Sequence, residues 1–265
     1  MTDLAADLTL AHELADLADQ ITMSRFRASD LVVDTKPDLT PVSEADRAVE
    51  RAMRDRLAEV RPGDLVFGEE YGADSGDAQR RWIVDPIDGT KSYVRAMPVW
   101  ATLIALQDQG ELTCGVASAP ALGIRWWAAR GQGAYAREHG GEPRRLRVSG
   151  IAELADAQLC FGGLEDWTDA GRAALLALGA RCWRSRGYGD FWQYMLVAEG
   201  AAEMGVDPVV SIWDIAAPLV IVSEAGGRFT DLAGAATAEG GAGVASNGHL
   251  HEAMLAALRP QTAQR

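Results

Sequence analysis

The chain has 265 residues and carries 38 acidic against 25 basic side chains, a net charge of −13 that argues against non-specific binding of nucleic acid or anionic membrane surfaces. With 48% hydrophobic and 24% charged residues it has the composition of a folded globular protein, large enough for one big domain or two modest ones. Three widely spaced cysteines, Cys114, Cys160 and Cys182, form no C-x-x-C pair, and no apolar run approaches the ~18 residues of a membrane span, so reduced thiols in a cytoplasmic protein are expected.

Leu10, Leu14, Leu17 and Ile21 recur at helical spacing and predict a first amphipathic helix over about residues 4–26. Val32 to Lys36 reads as a short extended piece, and Pro37 and Pro41 keep the next stretch out of helix. Ser43-Glu44-Ala45-Asp46 has the form of a helix start, followed by a stripe at Val49, Met53, Leu57 and Val60 that Arg61-Pro62-Gly63-Asp64 ends. An acid such as Asp46 in a first turn ordinarily complements the helix dipole. Leu65 to Gly68 predicts a short strand leading to Glu69-Glu70, and Tyr71 to Gln79 a surface loop.

The string Arg81-Trp82-Ile83-Val84-Asp85-Pro86-Ile87-Asp88-Gly89-Thr90-Lys91 is the most informative in the chain. Its apolar run predicts a buried strand ended by Asp85, with Pro86 breaking regular pairing and Asp88-Gly89-Thr90 turning backbone N–H groups toward whatever the two acids hold. Oxygen ligands suit a hard cation, and Mg²⁺ takes one or two carboxylates while leaving other positions to water and phosphate. The bland alternative is a strand and turn with solvated acids.

Farther on, Pro98 to Leu106 and Leu112 to Ala119 predict a hairpin, and Ile124 to Ala129 a third strand. The polar, basic stretch Arg137 to Arg147 reads as a link between two halves, divided as residues 1–148 and 149–265. Beyond it, strands at Gln158–Phe161, Arg181–Arg184, Ala201–Val206, Arg228–Thr230 and Gly243–Ser246 alternate with helices at Asp169–Leu178, Asp190–Glu199, Asp214–Ala225 and His249–Leu258. That alternation implies an α/β second half behind a hairpin-rich α+β first half. His12, His139, His249 and His251 have no zinc-ligand company and read as solvated, while the tryptophans read as core.

Glu69, Asp85, Asp88 and Asp214 sit on separate elements, and their spacing alone does not bring them together. Gly68-Glu69-Glu70, the Trp82 to Thr90 string, and Trp213-Asp214-Ile215-Ala216-Ala217 with Glu224-Ala225-Gly226-Gly227 resemble, in order, the signature blocks of the inositol monophosphatase family of Mg²⁺-dependent phosphatases. Lys36 and the helix containing Asp46 are also in place. The resemblance implies a layered αβαβα sandwich, commonly a homodimer, that acts on a small phosphorylated alcohol and is inhibited by lithium. It further implies Glu69, Asp85, the carbonyl of Ile87, Asp88 and Asp214 as ligands of two or three Mg²⁺, with Mn²⁺ able to substitute. Asp46 and Thr90, with Glu69, would orient the attacking water, and the N–H groups of Gly89 and Thr90 would hold phosphate.

The chain departs from the family pattern at Ser92-Tyr93 and, more tellingly, at Arg186-Gly187-Tyr188-Gly189-Asp190-Phe191, where a run of small residues is usual. With Arg125-Trp126-Trp127, this block resembles the histidinol-phosphatase branch found in actinobacteria. It implies a cationic leaving alcohol, with Arg186, Asp190 and Asp207 as candidate contacts beside Asp88 and Asp214; for Asp190 the competing expectation is a helix N-cap. Inositol 1-phosphate and 3′-phosphoadenosine 5′-phosphate are the alternative substrates, and a non-catalytic regulator on the same scaffold is the alternative class.

Overall fold

The computed structural model describes residues 3–37 and 39–259. The first apolar period becomes α1 (Leu4–Arg25), whose first turn is capped where the Ala6 amide donates to Asp3 Oδ1 at 3.1 Å. A ribbon of β1 (Val33–Thr35) and β2 (Pro41–Ser43) leads into α2 (Glu44–Val60). Ser43 opens that helix through a reciprocal cap in which its amide donates to Asp46 Oδ2 at 2.8 Å.

Nine further elements build the larger sheet and its connections: β3 (Leu65–Gly68), β4 (Gly72–Ala73), β5 (Arg80–Asp88), α3 (Thr90–Val94), β6 (Ala101–Asp108), β7 (Glu111–Ala119), β8 (Ile124–Ala129), β9 (Gly133–Glu138) and β10 (Arg144–Arg145). The eight strands run β10-β9-β8-β7-β6-β5-β3-β4, antiparallel except where β3 lies parallel to β5. Three expectations change here. The loop over residues 71–79 contributes β4. The supposed link over residues 137–147 instead finishes β9 and supplies the edge strand β10, where Arg144 pairs with Ala136; a two-residue polar edge carries no period to read. And β5 continues past Asp85: pairing skips from Asp85–Leu103 to Asp88–Ala101, because Pro86 has no N–H to give, and the Thr102 hydroxyl donates to the Pro86 carbonyl at 2.8 Å.

The second sheet comes from β11 (Gln158–Phe161), α4 (Asp169–Gly179), β12 (Arg184–Arg186), α5 (Asp190–Ala198), β13 (Met204–Asp207), α6 (Ile212–Glu224), β14 (Arg228–Thr230), β15 (Gly243–Ser246) and α7 (His251–Leu258). Its order is β12-β11-β13-β15-β14, with β11 parallel to both neighbours and the remaining pairs antiparallel. The strand β12 begins three residues after the expected Arg181.

Side-chain alternation along β5 shows how the layers stack. Trp82 and Val84 face Leu14, Val49 and Met53 of α1 and α2, whereas Ile83 faces Phe191 and Met195 of α5 and Ile215 and Ile221 of α6. Gly115 lets α6 approach the sheet, since a Cβ there would lie 2.8 Å from the Ala217 carbonyl. The smaller sheet covers α5 and α6 on its inner face through Cys160 and Ala245, and its outer face packs Leu159, Met204 and Val244 against Leu175 of α4 and Met254 of α7. The result is the expected helix–sheet–helix–sheet–helix sandwich.

Two histidines depart from the solvated expectation. His251 is fully buried, sharing 2.9 Å hydrogen bonds with Thr230 Oγ1 and Ser246 Oγ, and His12 is half-buried, edge-on to Trp127. Among the tryptophans, Trp183 stands out at 65% exposure.

Candidate active site

The end of β5 with its bulge and the starts of α2 and α6 converge on one corner. Asp85 and Asp88 come from β5, and Asp214 comes from the first turn of α6, where the Ser211 amide donates to its Oδ2 at 2.7 Å. One carboxylate oxygen from each of the three lies within 4.8 Å of the others. Burial, followed by the charge of Glu69 and of the other acids, holds Asp85 well above the ordinary carboxylate range. Asp88 is raised by burial and then by Asp190, and Asp214 is pushed up to about 7, first by burial. Buried like charges hold protons in this way unless a cation lies between them. The donor set contains oxygen only, without histidine or cysteine, and so fits a hard divalent ion.

Backbone and hydroxyl groups lock the corner. The Ile87 amide donates to Asp85 Oδ1 at 2.9 Å, and the Thr90 hydroxyl lies 2.9 Å from the Ile87 carbonyl and 3.1 Å from Asp46 Oδ1. Asp46 therefore does more than complement a dipole: it is fully buried, with Oδ2 engaged by Ser43 and Oδ1 turned to Thr90. Gly89, at φ +84°, turns the chain into α3; a Cβ there would sit 3.1 Å from the Val99 carbonyl and 3.3 Å from Asp190 Oδ2. Glu69 stands beside the trio without converging on it, because its Oε1 accepts from Lys36 Nζ at 2.7 Å while Glu70 Oε1 accepts from the same ammonium at 2.6 Å.

Beside Asp88 and Asp214 a cavity of about 150 Å³ opens, lined by these two and by Gly162, Gly163, Asp166, Asp190, Tyr194, Asp207 and the apolar pair Val209 and Val210. Larger hollows of about 530 Å³ along β3 and 710 Å³ beside α6 touch none of the three acids. Asp207 Oδ2 accepts from Tyr194 Oη at 3.0 Å and from Gln193 Nε2. Burial pushes this carboxyl up to about 7 against the Tyr194 hydrogen bond. Gly162 leaves it room, for a Cβ there would lie 2.0 Å from Asp207 Oδ1.

Asp190 is not the cap of α5. Gly189 holds that position, and Asp190 is the first helical residue at φ +48°, a conformation that aims the Phe191 amide at Asp88 Oδ2, 2.5 Å away. Burial raises the Asp190 carboxyl, opposed by Lys91 and helped by Asp166. Arg186 lies apart from this constellation, exposed at the edge strand with its Nη1 donating to the Ser185 carbonyl at 2.7 Å.

Sequence reasoning missed Asp166, Tyr194, Gln193 and Glu50. Asp166 follows the Gly162-Gly163 pair at the end of β11, a loose signal; Glu50 was detectable as a charge beside Val49 and Met53 on the apolar stripe of α2.

The profile described as the inositol monophosphatase family matches residues 3–263. The chain belongs to the inositol monophosphatase family. Members of this family depend on metal ions, in keeping with the acid trio. The chain is 54% identical over 253 residues to a histidinol-phosphatase of Mycobacterium tuberculosis, covering 95% of this chain and 97% of that one. It is 50% identical over 263 residues to a histidinol-phosphatase of Streptomyces coelicolor, covering 97% and 98%. An inositol monophosphatase from Zymomonas mobilis has the same fold, with a TM-score of 0.85 and 30% identity over 97% of this chain and 99% of that one. Among the described residues, no helix is long and apolar enough to cross a membrane.

Proposed function

We propose that this inositol monophosphatase-family chain hydrolyses L-histidinol phosphate to L-histidinol and phosphate with Mg²⁺ as its metal. The observation that carries the reading is the continuity of two acid groups: Asp88 and Asp214, which converge with Asp85, also line a cavity whose wall carries Asp166, Asp190 and Asp207 and no basic side chain. A neutral polyol can use these carboxylates only as hydrogen-bond acceptors, whereas an alcohol bearing an ammonium and an imidazole also pairs with their charge. The identity to two histidinol-phosphatases supports the same substrate.

In this reading Asp85, Asp88, Asp214, the Ile87 carbonyl and Glu69 hold two or three Mg²⁺, which Mn²⁺ can replace. Bound there, the ions would supply charge neutralisation for the ester, a lowered pKa for the attacking water and stabilisation of the leaving oxygen. Thr90, its hydroxyl hydrogen directed to Asp46, presents a lone pair that fixes the water in line, with Glu69 on the other side. The N–H groups of Gly89 and Thr90 receive the phosphate oxygens. Asp190 and Asp207 face the cationic alcohol; Arg186 does not line this cavity. The proposal includes a cytoplasmic homodimer whose residues 1–148 supply Asp46 through Asp88 and whose residues 149–265 supply Asp214 and the alcohol pocket.

The test is phosphate release from histidinol phosphate, both inositol 1-phosphate enantiomers, fructose 1,6-bisphosphate and 3′-phosphoadenosine 5′-phosphate, each with Mg²⁺, with chelator and with LiCl. Metal-dependent turnover with the highest kcat/KM on histidinol phosphate is expected. Preference for inositol 1-phosphate would transfer the assignment to that substrate, and turnover unaffected by chelation would end the metal reading.

A further inference from the structure

Glu50 is a fully buried carboxylate on α2, and its partners all belong to one hairpin and its support. Its Oε2 accepts from the Glu70 amide at 2.7 Å, and its Oε1 accepts from the Tyr71 amide at 3.2 Å and from Arg54 Nε at 2.8 Å. Arg54 carries the chain onward, with Nη1 donating to Asp74 Oδ1 at 2.6 Å and Nη2 to the Gly72 carbonyl at 2.5 Å. Asp74 Oδ2 in turn accepts from the Val66 amide at 2.9 Å. One run of charge-assisted hydrogen bonds thus ties β3, β4 and the turn between them to α2. Gly68 shows how closely the parts fit: a Cβ there would meet Glu50 Cδ and Oε1 at 2.2 Å.

Glu69 lies on this turn, and its amide donates to the Val84 carbonyl at 3.3 Å, next to Asp85 on β5. Stability alone is a poor reason for an acid at position 50. A buried ion pair is often no better than packed apolar side chains of similar volume. What an apolar residue could not do is accept two successive backbone N–H groups and so fix the direction in which Glu69 leaves the sheet. We infer that Glu50 is a positioning residue for the metal site: it holds the Glu69–Tyr71 turn and thereby sets metal affinity without touching the ion. The inference rests on the reading of Glu69 as a metal ligand.

The experiment is calorimetric titration of the metal-free full chain with Mn²⁺ in wild type, Glu69→Gln, Glu50→Gln, Gly68→Ala and, as a packing control on the same helix, Val49→Ala. Circular dichroism reports the fold, and KM is measured at saturating metal. Groups that orient a metal's ligands typically change affinity 10–100-fold when altered, so Glu50→Gln and Gly68→Ala should each weaken Mn²⁺ binding by roughly tenfold or more while KM moves by less than about threefold. Val49→Ala should lower stability and leave Mn²⁺ affinity as it was. Wild-type affinity in folded Glu50→Gln, or an equal loss in Val49→Ala, overturns the inference. If Glu50→Gln does not fold, Gly68→Ala decides by the same criterion. Unchanged affinity in Glu69→Gln is a separate outcome, which removes Glu69 from the ligand set and the role of Glu50 with it.

Discussion

The substitution that bears most directly on substrate choice is Asp190→Asn. Among the described residues the Asp190 carboxylate makes no hydrogen bond or ion pair, and it faces the cavity beside Asp166 with the charge of Lys91 opposing the effect of its burial. A charge-assisted hydrogen bond from a substrate ammonium is worth about 1.5–3 kcal/mol, or roughly ten- to 150-fold in kcat/KM. The lower end applies, because Asp190 keeps solvent-accessible surface even though protein crowds its carboxylate, and because Asp166 remains as a second acid. Asparagine also tolerates the positive φ at this position, so the Phe191 amide stays on Asp88; alanine there would confound the result by straining the turn. We expect kcat/KM for L-histidinol phosphate to fall about tenfold at saturating Mg²⁺, while that for glycerol 2-phosphate, an uncharged-alcohol ester, hardly changes. Equal losses on both esters would mean that the substitution damages the metal site through Asp88, and no loss on either would remove Asp190 from alcohol recognition.

Asp88→Asn should abolish turnover and raise the melting temperature of the metal-free protein, since it removes one of several mutually repelling buried charges; a lower metal-free melting temperature in scanning calorimetry would contradict the repulsion. Thr90→Ala should reduce kcat by roughly 100-fold with little change in KM, because the hydroxyl acts on the water and not on the ground-state ester. A change confined to KM in steady-state kinetics would make Thr90 a phosphate contact. Burial between Thr230 and Ser246 lowers His251 from 6.5 to about 4, so the unfolded chain takes up the proton first as the pH falls. The contribution is fully present above about 6.5 and is lost progressively toward 4; His251→Gln should flatten that limb of the melting-temperature curve recorded with chelator, and an unchanged slope would place the acid sensitivity elsewhere.

What could be read in advance follows the distance over which each signal acts. The helices α1 and α2 announce themselves by a period of apolar residues, and the hairpin of β6 and β7 by two apolar runs around a polar turn. The acids of the site were recognisable as the members of motifs, yet nothing within any motif states that Asp214, on a helix of the second half, lies within 4.8 Å of Asp85 and Asp88. Several of the contacts that escaped share a physical cause. Glu50 is held by the amides of Glu70 and Tyr71, Asp88 by the amide of Phe191 and Glu203 by the amide of Gln158. Every residue except proline carries such an amide, so a partner of this kind leaves no mark in the composition of the segment that supplies it. The trace falls on the acid alone, as a charge where the surrounding period asks for an apolar side chain. Glu50 among Val49, Met53 and Leu57 is such a case, and the buried carboxylate can remain there only because the distant turn answers it.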